Sequence, residues 1–144
     1  MRATMSVSDR AIRLEGDNQA PQEGDPLRYA LVVYNDAEAR EQRSEAQQQR
    51  INAGILEVLE RPTVSGWLRL RDVESATTLR SEHGKTLLTD GPFVDSKDYL
   101  GGFIIVEAEN LDGALAVASE LQELRDCEGA IEVRPVNDAP PGSA

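Results

Sequence analysis

The side chains best suited to acid–base chemistry lie in one short segment, residues 89–103 (TDGPFVDSKDYLGGF). Asp90 ends an apolar run before a Gly-Pro pair, so its carboxylate either accepts hydrogen bonds from the turn or faces a cleft. In a cleft it can act as a general base. Lys97 lies among aspartates and is either one charge of a solvated turn or a cation that holds a carboxylate or phenolate ligand. The segment therefore supplies a candidate base and a candidate cation.

Four further side chains extend this candidate site. Tyr34 can donate a hydrogen bond to an oxyanion and Arg134 can bind a carboxylate through two hydrogen bonds, although an interface hydrogen bond and a surface ion pair are the structural alternatives. Phe93 either anchors a core or stacks on a ligand, and Trp67 either lines the cleft or packs in a subunit interface. Asp90, Lys97 and Tyr34 are thus the candidate catalytic residues. Phe93, Arg134 and Trp67 are the candidate ligand-binding residues.

Composition excludes several classes of function. The 144 residues carry 15 Lys and Arg against 26 Asp and Glu, a net charge of −11. This surface repels phosphate backbones and anionic lipids, so no nucleic-acid or membrane partner is expected. The single cysteine, Cys127, and the single histidine, His83, supply neither a zinc site nor a catalytic triad. No metal and no cofactor is therefore predicted.

Three segments differ in character along the chain. Residues 1–26 are polar and acidic without sustained periodicity and predict a flexible leader, and residues 137–144 (NDAPPGSA) predict a disordered tail. The folded domain is expected at residues 27–136. Neither a signal peptide nor a membrane span is present in the sequence pattern, which predicts a cytoplasmic protein.

Within the folded domain, short apolar runs alternate with helix-forming stretches. Residues 29–34 (YALVVY) and 101–108 (GGFIIVEA) predict strands with apolar residues on both faces. A helix is predicted from Asp36 to Glu60, and a second follows Asn110. The remaining predicted elements are strands at 63–70 and 130–136 and a hairpin formed by 76–81 and 85–89 around a Glu-His-Gly turn.

The predicted order is strand, helix, strand, hairpin, strand, helix, strand. Without the hairpin this is the α+β, ferredoxin-like βαββαβ arrangement, in which two helices cover one face of the sheet. The apolar residues on the other face require a cover. A homodimer that packs sheet against sheet is the simplest one.

Three motifs in this order resemble those of the YCII-related family. Asp90-Gly91-Pro92-Phe93 followed by Lys97 resembles the signature of its DGPF-domain group, residues 76–80 (ATTLR) resemble a strand of the family, and Val133-Arg134-Pro135 resembles its last strand. The resemblance covers residues 29–136 and implies a dimeric α/β barrel of ferredoxin-like subunits. In the better studied branch of the YCII-related family, a histidine is paired with an aspartate. His83 lies in the hairpin turn and does not match that position.

Three functions remain open from the sequence. The first is a homodimeric domain that binds a small organic ligand in a cleft beneath the Asp-Gly-Pro-Phe turn. The second is an enzyme of the lyase or isomerase kind that uses Asp90 as acid or base. The third, implied by the resemblance, is an interaction module associated with transcription machinery, for which pull-down with and without residues 1–26 is the test.

Overall fold

The computed structural model of the protein describes residues 27–139 and 141–142. Six strands and three α-helices form the fold, together with one 3-10 turn at Val73–Ser75. In chain order they are β1 Leu27–Asp36, α1 Ala37–Glu41, α2 Glu45–Leu59, β2 Val64–Arg69, β3 Thr77–Glu82, β4 Lys85–Asp90, β5 Asp98–Ala108, α3 Leu111–Leu124 and β6 Ala130–Pro135. The predicted leader at residues 1–26 lies outside the described residues, as do Pro140, Ser143 and Ala144 of the predicted tail.

Four of the strands form one antiparallel sheet in the order β2-β5-β1-β6. Both β1 and β2 pair antiparallel with β5, which lies between them, so β1 and β2 run in the same direction. A helix connects the two strands of each half, α2 between β1 and β2 and α3 between β5 and β6. This arrangement is compatible with a ferredoxin-like fold. The predicted α+β class is confirmed, and the strands form where the apolar runs are.

Both long helices pack on the same face of the sheet. Tyr29 and Leu31 of β1 alternate onto this face, and they form one core with Val58 of α2 and Leu121 of α3. The opposite face carries Val32 of β1 and its cross-strand neighbours from β5. Among the described residues no helix covers that face.

The helical region between β1 and β2 differs from the single helix that was predicted. Asp36 is the N-cap of α1, and its carboxylate accepts hydrogen bonds from the amides of Glu38 and Ala39. Ser44 is the N-cap of α2 and forms a capping box with Gln47, which starts a new helix after a three-residue break. Because of this break, α1 lies at the end of β1 while α2 packs on the sheet.

The predicted hairpin forms a separate two-stranded sheet of β3 and β4. Its turn is His83-Gly84, and both residues have positive φ (50° and 76°), as a two-residue hairpin turn requires. All of its strand residues except Thr78 are exposed, including Leu79 and Leu88, which oppose each other. The hairpin thus projects from the main sheet as an arm.

Part of the segment predicted as a tail contacts the sheet: Asp138 forms an ion pair with Arg28 of β1.

No helix within residues 27–139 is both long enough and apolar enough to cross a membrane.

Candidate functional site

A cavity of about 360 Å³ lies between α2 and the end of the sheet where β1 and β2 finish. We call it the α2 pocket. Helix α2 forms its roof from Gln48 to Leu59, residues from β1, β2 and β5 form its floor, and the turn after α3 closes one side. The volume lies in the range of 300–1,000 Å³ that small-molecule sites occupy.

The larger part of the pocket wall is apolar. Ile51 and Ile55 of α2, Trp67 of β2 and Ile104 of β5 all line the pocket. Trp67 is half-buried and packs against the core. Because it is the only tryptophan of the chain, its fluorescence reports on this pocket.

The other end of the pocket is charged. Arg40 follows β1 in α1, Arg43 lies in the break before α2, and Arg125 caps the end of α3. All three lie around Glu128, and we call these four residues the arginine cluster. The ion-pair distances are 3.4 Å from Arg40 Nε to Glu128 Oε1, 2.9 Å from Arg43 Nη1 to Oε2 and 3.7 Å from Arg125 Nη2 to Oε2.

Hydrogen bonds hold two of these arginines in place. Arg125 donates from Nη2 to the Tyr34 carbonyl (2.8 Å) and to Asn35 Oδ1 (2.9 Å), and from Nη1 to Gln122 Oε1 (3.1 Å). Arg43 donates from Nη2 to the Arg125 carbonyl at 2.6 Å. The charged heads of Arg43 and Arg125 are therefore built into the fold, joining the end of β1 to the end of α3.

Two polar atoms of the cluster remain without a hydrogen bond among the described residues. They are Nε of Arg40 and Oε2 of Glu128, which are held by the ion pairs given above. The Glu128 side chain is 1% exposed, and its other oxygen accepts from the amide of Asp36 at 3.1 Å. Buried polar atoms are normally hydrogen-bonded, so these two atoms could each accept a further partner such as a water or an ion.

The charge balance of the cluster is positive. Three guanidinium groups share one carboxylate, inside a chain whose net charge is −11. The pKa of the Arg125 guanidinium is lowered, mainly by burial. Glu128 acts in the opposite direction, and the positive charges of Arg40 and Arg43 lower the pKa further. Arginine nevertheless stays protonated in proteins, so the pocket keeps an excess of positive charge at this end.

A glycine turn brings Glu128 to the end of β1. Gly129 has φ of +58°, and a Cβ atom built there would lie 2.1 Å from the Tyr34 carbonyl oxygen. Gln122 Nε2 donates to the carbonyls of Glu128 and Gly129 at 3.0 and 3.1 Å. The close approach requires glycine, and it sets the position of the Glu128 carboxylate.

The bulge in β5 shapes the floor. The pairing shifts so that Val33 faces Gly102 while Tyr34 faces Leu100, and Gly101 is left unpaired. A Cβ on Gly101 would lie 2.1 Å from Asn35 Nδ2. The missing side chain therefore leaves room for the Asn35 amide, whose oxygen binds Arg125.

Of the six side chains predicted for the site, Trp67 lines the α2 pocket. Tyr34 contributes its main-chain carbonyl to Arg125. Arg134 is 71% exposed on β6 and forms an ion pair with Glu132 at 2.7 Å. These three residues do not converge on one cavity.

The other three predicted residues lie in or after the hairpin. Asp90 is the exposed last residue of β4, and the turn after it is held by Gly91, whose amide donates to the Ala76 carbonyl at 2.7 Å. Phe93 is 72% exposed. Lys97 is exposed, and its carbonyl accepts from the amide of Ala37. None of the three lines the α2 pocket.

Comparison with known proteins agrees with the motifs of the hairpin segment and the last strand. The model of the YCII-related domain matches residues 18–139. The chain belongs to the YCII-related family. An uncharacterized protein of Rhizobium meliloti (strain 1021) is 33% identical over 118 residues, which are 79% of this chain and 95% of that relative. The resemblance to the YCII-related family found in the sequence is confirmed.

In this YCII-related chain, the arginine cluster was not predicted from the sequence. Its members are separated by up to 88 positions, between Arg40 and Glu128, and no local spacing connects them. One signal was available: Arg40 and Arg43 are three positions apart in a strongly acidic chain. That spacing also fits an ordinary solvated helix face. The described residues hold no cluster of three or more His, Cys, Asp or Glu side chains that could bind a metal ion.

Proposed function

We propose that this YCII-related protein binds a small organic ligand in the α2 pocket of each subunit of a homodimer. The observation that carries the proposal is the pocket itself: a cavity of about 360 Å³ with apolar walls and a few convergent polar groups at one end. This combination is the usual character of a ligand site. Within the family, the Asp-Gly-Pro-Phe sequence supports assignment to the DGPF-domain group.

The position of the pocket refines the predicted cleft. The sequence predicted a cleft beneath the turn at residues 90–93, whereas the pocket that supports ligand binding lies under α2. The single predicted residue at its wall is Trp67. We therefore assign ligand binding to α2, Trp67 and the arginine cluster, and the use of Asp90 as acid or base stays a separate hypothesis.

Blocking the pocket is expected to abolish ligand binding. Ala53 lines the pocket from α2, and Ala53→Trp would fill part of the cavity with an indole ring. The wild-type protein should show thermal stabilisation with at least one member of a small-metabolite library, and the stabilisation should be lost in Ala53→Trp. Differential scanning fluorimetry measures both, and circular dichroism checks that the variant is folded.

Two controls locate the effect. Ala46→Trp places the same ring on an exposed position of α2 outside the pocket, and it should retain the stabilisation. Asp90→Asn should retain it as well. Equal loss in Ala46→Trp would contradict the assignment, and loss in Asp90→Asn would move the site to the hairpin and favour the enzymatic hypothesis.

The proposed homodimer rests on the face of the sheet opposite the helices. Val32 of β1 and Phe103 and Ile105 of β5 share this face, as their pairing register requires. Leu79 and Leu88 are 65% and 70% exposed on the projecting hairpin. Sheet-to-sheet packing of two copies would bury such apolar surface, and closed two-fold dimers are the commonest oligomers. Two antiparallel sheets packed in this way would form the dimeric α/β barrel.

A charge placed on that face is expected to produce monomers. Ile105→Lys would bury an ammonium group at the sheet-to-sheet interface, so the variant should sediment as a single chain while the wild type sediments as two. Leu115→Lys is the control, because Leu115 is 44% exposed on α3, on the helical side. Sedimentation velocity measures the mass. A wild-type monomer, or an Ile105→Lys dimer of unchanged affinity, would contradict the proposal.

A further inference from the structure

We infer that the ligand of the α2 pocket is a small organic carboxylate, whose anionic group binds at Arg40 and Arg69 and whose apolar body lies between α2 and Trp67. The inference rests on the proposed function and goes further by naming the chemistry of the ligand. It depends on the charge of the pocket, on which arginines are available, and on the apolar part of its wall.

The pocket wall carries unbalanced positive charge. Four arginines (Arg40, Arg43, Arg69 and Arg125) and one acid (Glu128) line it, a formal charge of +3 in a chain of −11. Buried charges are costly unless they are compensated, and the single negative charge of Glu128 balances only one of the three guanidinium charges around it. An anionic ligand would supply the missing partner, whereas a cationic ligand would add to the repulsion.

The hydrogen bonds of the arginines indicate which of them face the ligand. Arg43 and Arg125 direct their Nη atoms to carbonyl and amide oxygens of the protein. Arg40 differs, because its side chain is 34% exposed, compared with 9% for Arg43 and 5% for Arg125. Arg69 is an exposed residue at the end of β2 and lines the same cavity. Arg40 and Arg69 are therefore the side chains that a ligand can reach.

The chemical type of the anion follows from the guanidinium group and the wall. Arginine binds planar carboxylates through paired hydrogen bonds, which adds geometric specificity. The wall beyond the arginines is formed by Ile51, Ile55 and Trp67, which suits an aliphatic or aromatic body. Glu128 fills one side of the cluster and repels a second negative charge, so a single carboxylate on an apolar body fits better than a polyanion such as phosphate.

Matched acid and amide probes test the inference. Benzoate, phenylacetate and hexanoate are compared with benzamide, phenylacetamide and hexanamide by calorimetry and by the fluorescence of Trp67. Each pair has nearly the same shape and differs in charge. At least one acid should bind about tenfold or more tightly than its amide, the range expected for a charge-assisted hydrogen bond.

Variants assign this preference to the two arginines. Arg40→Gln and Arg69→Gln should each reduce affinity for the acid by about tenfold or more while leaving affinity for the amide nearly unchanged. Arg50→Gln is the matched control, because Arg50 is exposed on α2 and does not line the pocket. It should behave like the wild type. Arg40→Lys keeps the charge without the planar fork and should be intermediate.

The outcomes separate the two proposals. Three outcomes would overturn the carboxylate inference and leave ligand binding standing. Amides could bind as tightly as acids, or Arg50→Gln could weaken acid binding as much as Arg40→Gln. Inorganic phosphate could also compete as well as the best acid. If no acid of the panel binds while a neutral compound of the wider library does, the inference is again overturned. If no compound of either set binds, the proposed function itself fails.

Discussion

Glu128→Gln is expected to lower the free energy of unfolding by about 3 kcal/mol or more, the usual cost of removing one partner from a buried ion pair. Glu128 is 1% exposed, and it is the acid within ion-pair distance of Arg40, Arg43 and Arg125. The glutamine has nearly the same shape, so the cost comes from the charge. Two of the three guanidinium groups, at 9% and 5% side-chain exposure, would face each other without a counter-ion. Urea denaturation followed by circular dichroism measures the effect.

Glu123→Gln provides the comparison for this prediction. Glu123 is an exposed residue of α3, and its replacement should change stability by no more than about 0.5 kcal/mol. Addition of a carboxylate that binds the pocket should restore part of the loss in Glu128→Gln, because it would supply an anion beside the arginines. A Glu128→Gln variant as stable as Glu123→Gln would show that the carboxylate does not hold the cluster together.

Gly129→Ala is expected to destabilise the protein by at least about 3 kcal/mol, among the larger effects of single substitutions. The left-handed backbone at φ of +58° alone costs alanine about 1–2 kcal/mol. In addition, the new methyl group would lie 2.1 Å from the carbonyl oxygen of Tyr34. The obstacle is main chain near the end of β1, not a flexible side chain, so the turn or the strand must move. The same carbonyl accepts a hydrogen bond from Arg125.

Gly84→Ala separates backbone strain from the steric clash. Gly84 has φ of +76°, and nothing lies within 4 Å of a Cβ built there. In Gly84→Ala only the left-handed backbone conformation is unfavourable, so the free energy of unfolding should fall by about 1–2 kcal/mol. Thermal and urea denaturation of the two variants should differ clearly, and Gly129→Ala should also weaken ligand binding in the α2 pocket. Equal losses would mean that the turn adjusts without disturbing β1 or the arginine cluster.

Glu128→Gln and Gly129→Ala test the same structural link between the fold and the α2 pocket. The end of β1, the start of α1 and the turn after α3 meet at the arginine cluster, because Arg125 binds the Tyr34 carbonyl and Asn35 while Glu128 binds the Asp36 amide. A residue that stabilises this junction also sets the positive end of the pocket. Stability and ligand affinity are therefore expected to change together for Glu128 and Gly129, and separately for Arg69, which lies at the end of β2 and takes no part in this junction.

Local signals in the sequence account for much of the fold. The run at residues 29–34 forms the centre of β1, the Glu-His-Gly turn forms a hairpin between Glu82 and Lys85, and Asn110 caps α3 by accepting from the Gly113 amide. Each of these depends on residues close in the chain, through alternation, turn conformation or capping. The break between α1 and α2 also has a local cause, the capping box at Ser44, which the helix-forming composition around it concealed.

The α+β class, the order of the strands and of the two long helices, and membership of the YCII-related family can be read from the sequence alone, because they follow from periodicity and from short motifs. The place where charge and cavity coincide depends on the tertiary structure. Arg40 and Glu128 are 88 positions apart, and Trp67 reaches the same pocket from a third element. Side chains this distant in the chain meet through strand pairing and helix packing. Asp90 and Lys97, adjacent to a conspicuous motif, lie outside the pocket, while arginines that looked like ordinary helix surface form its charged end.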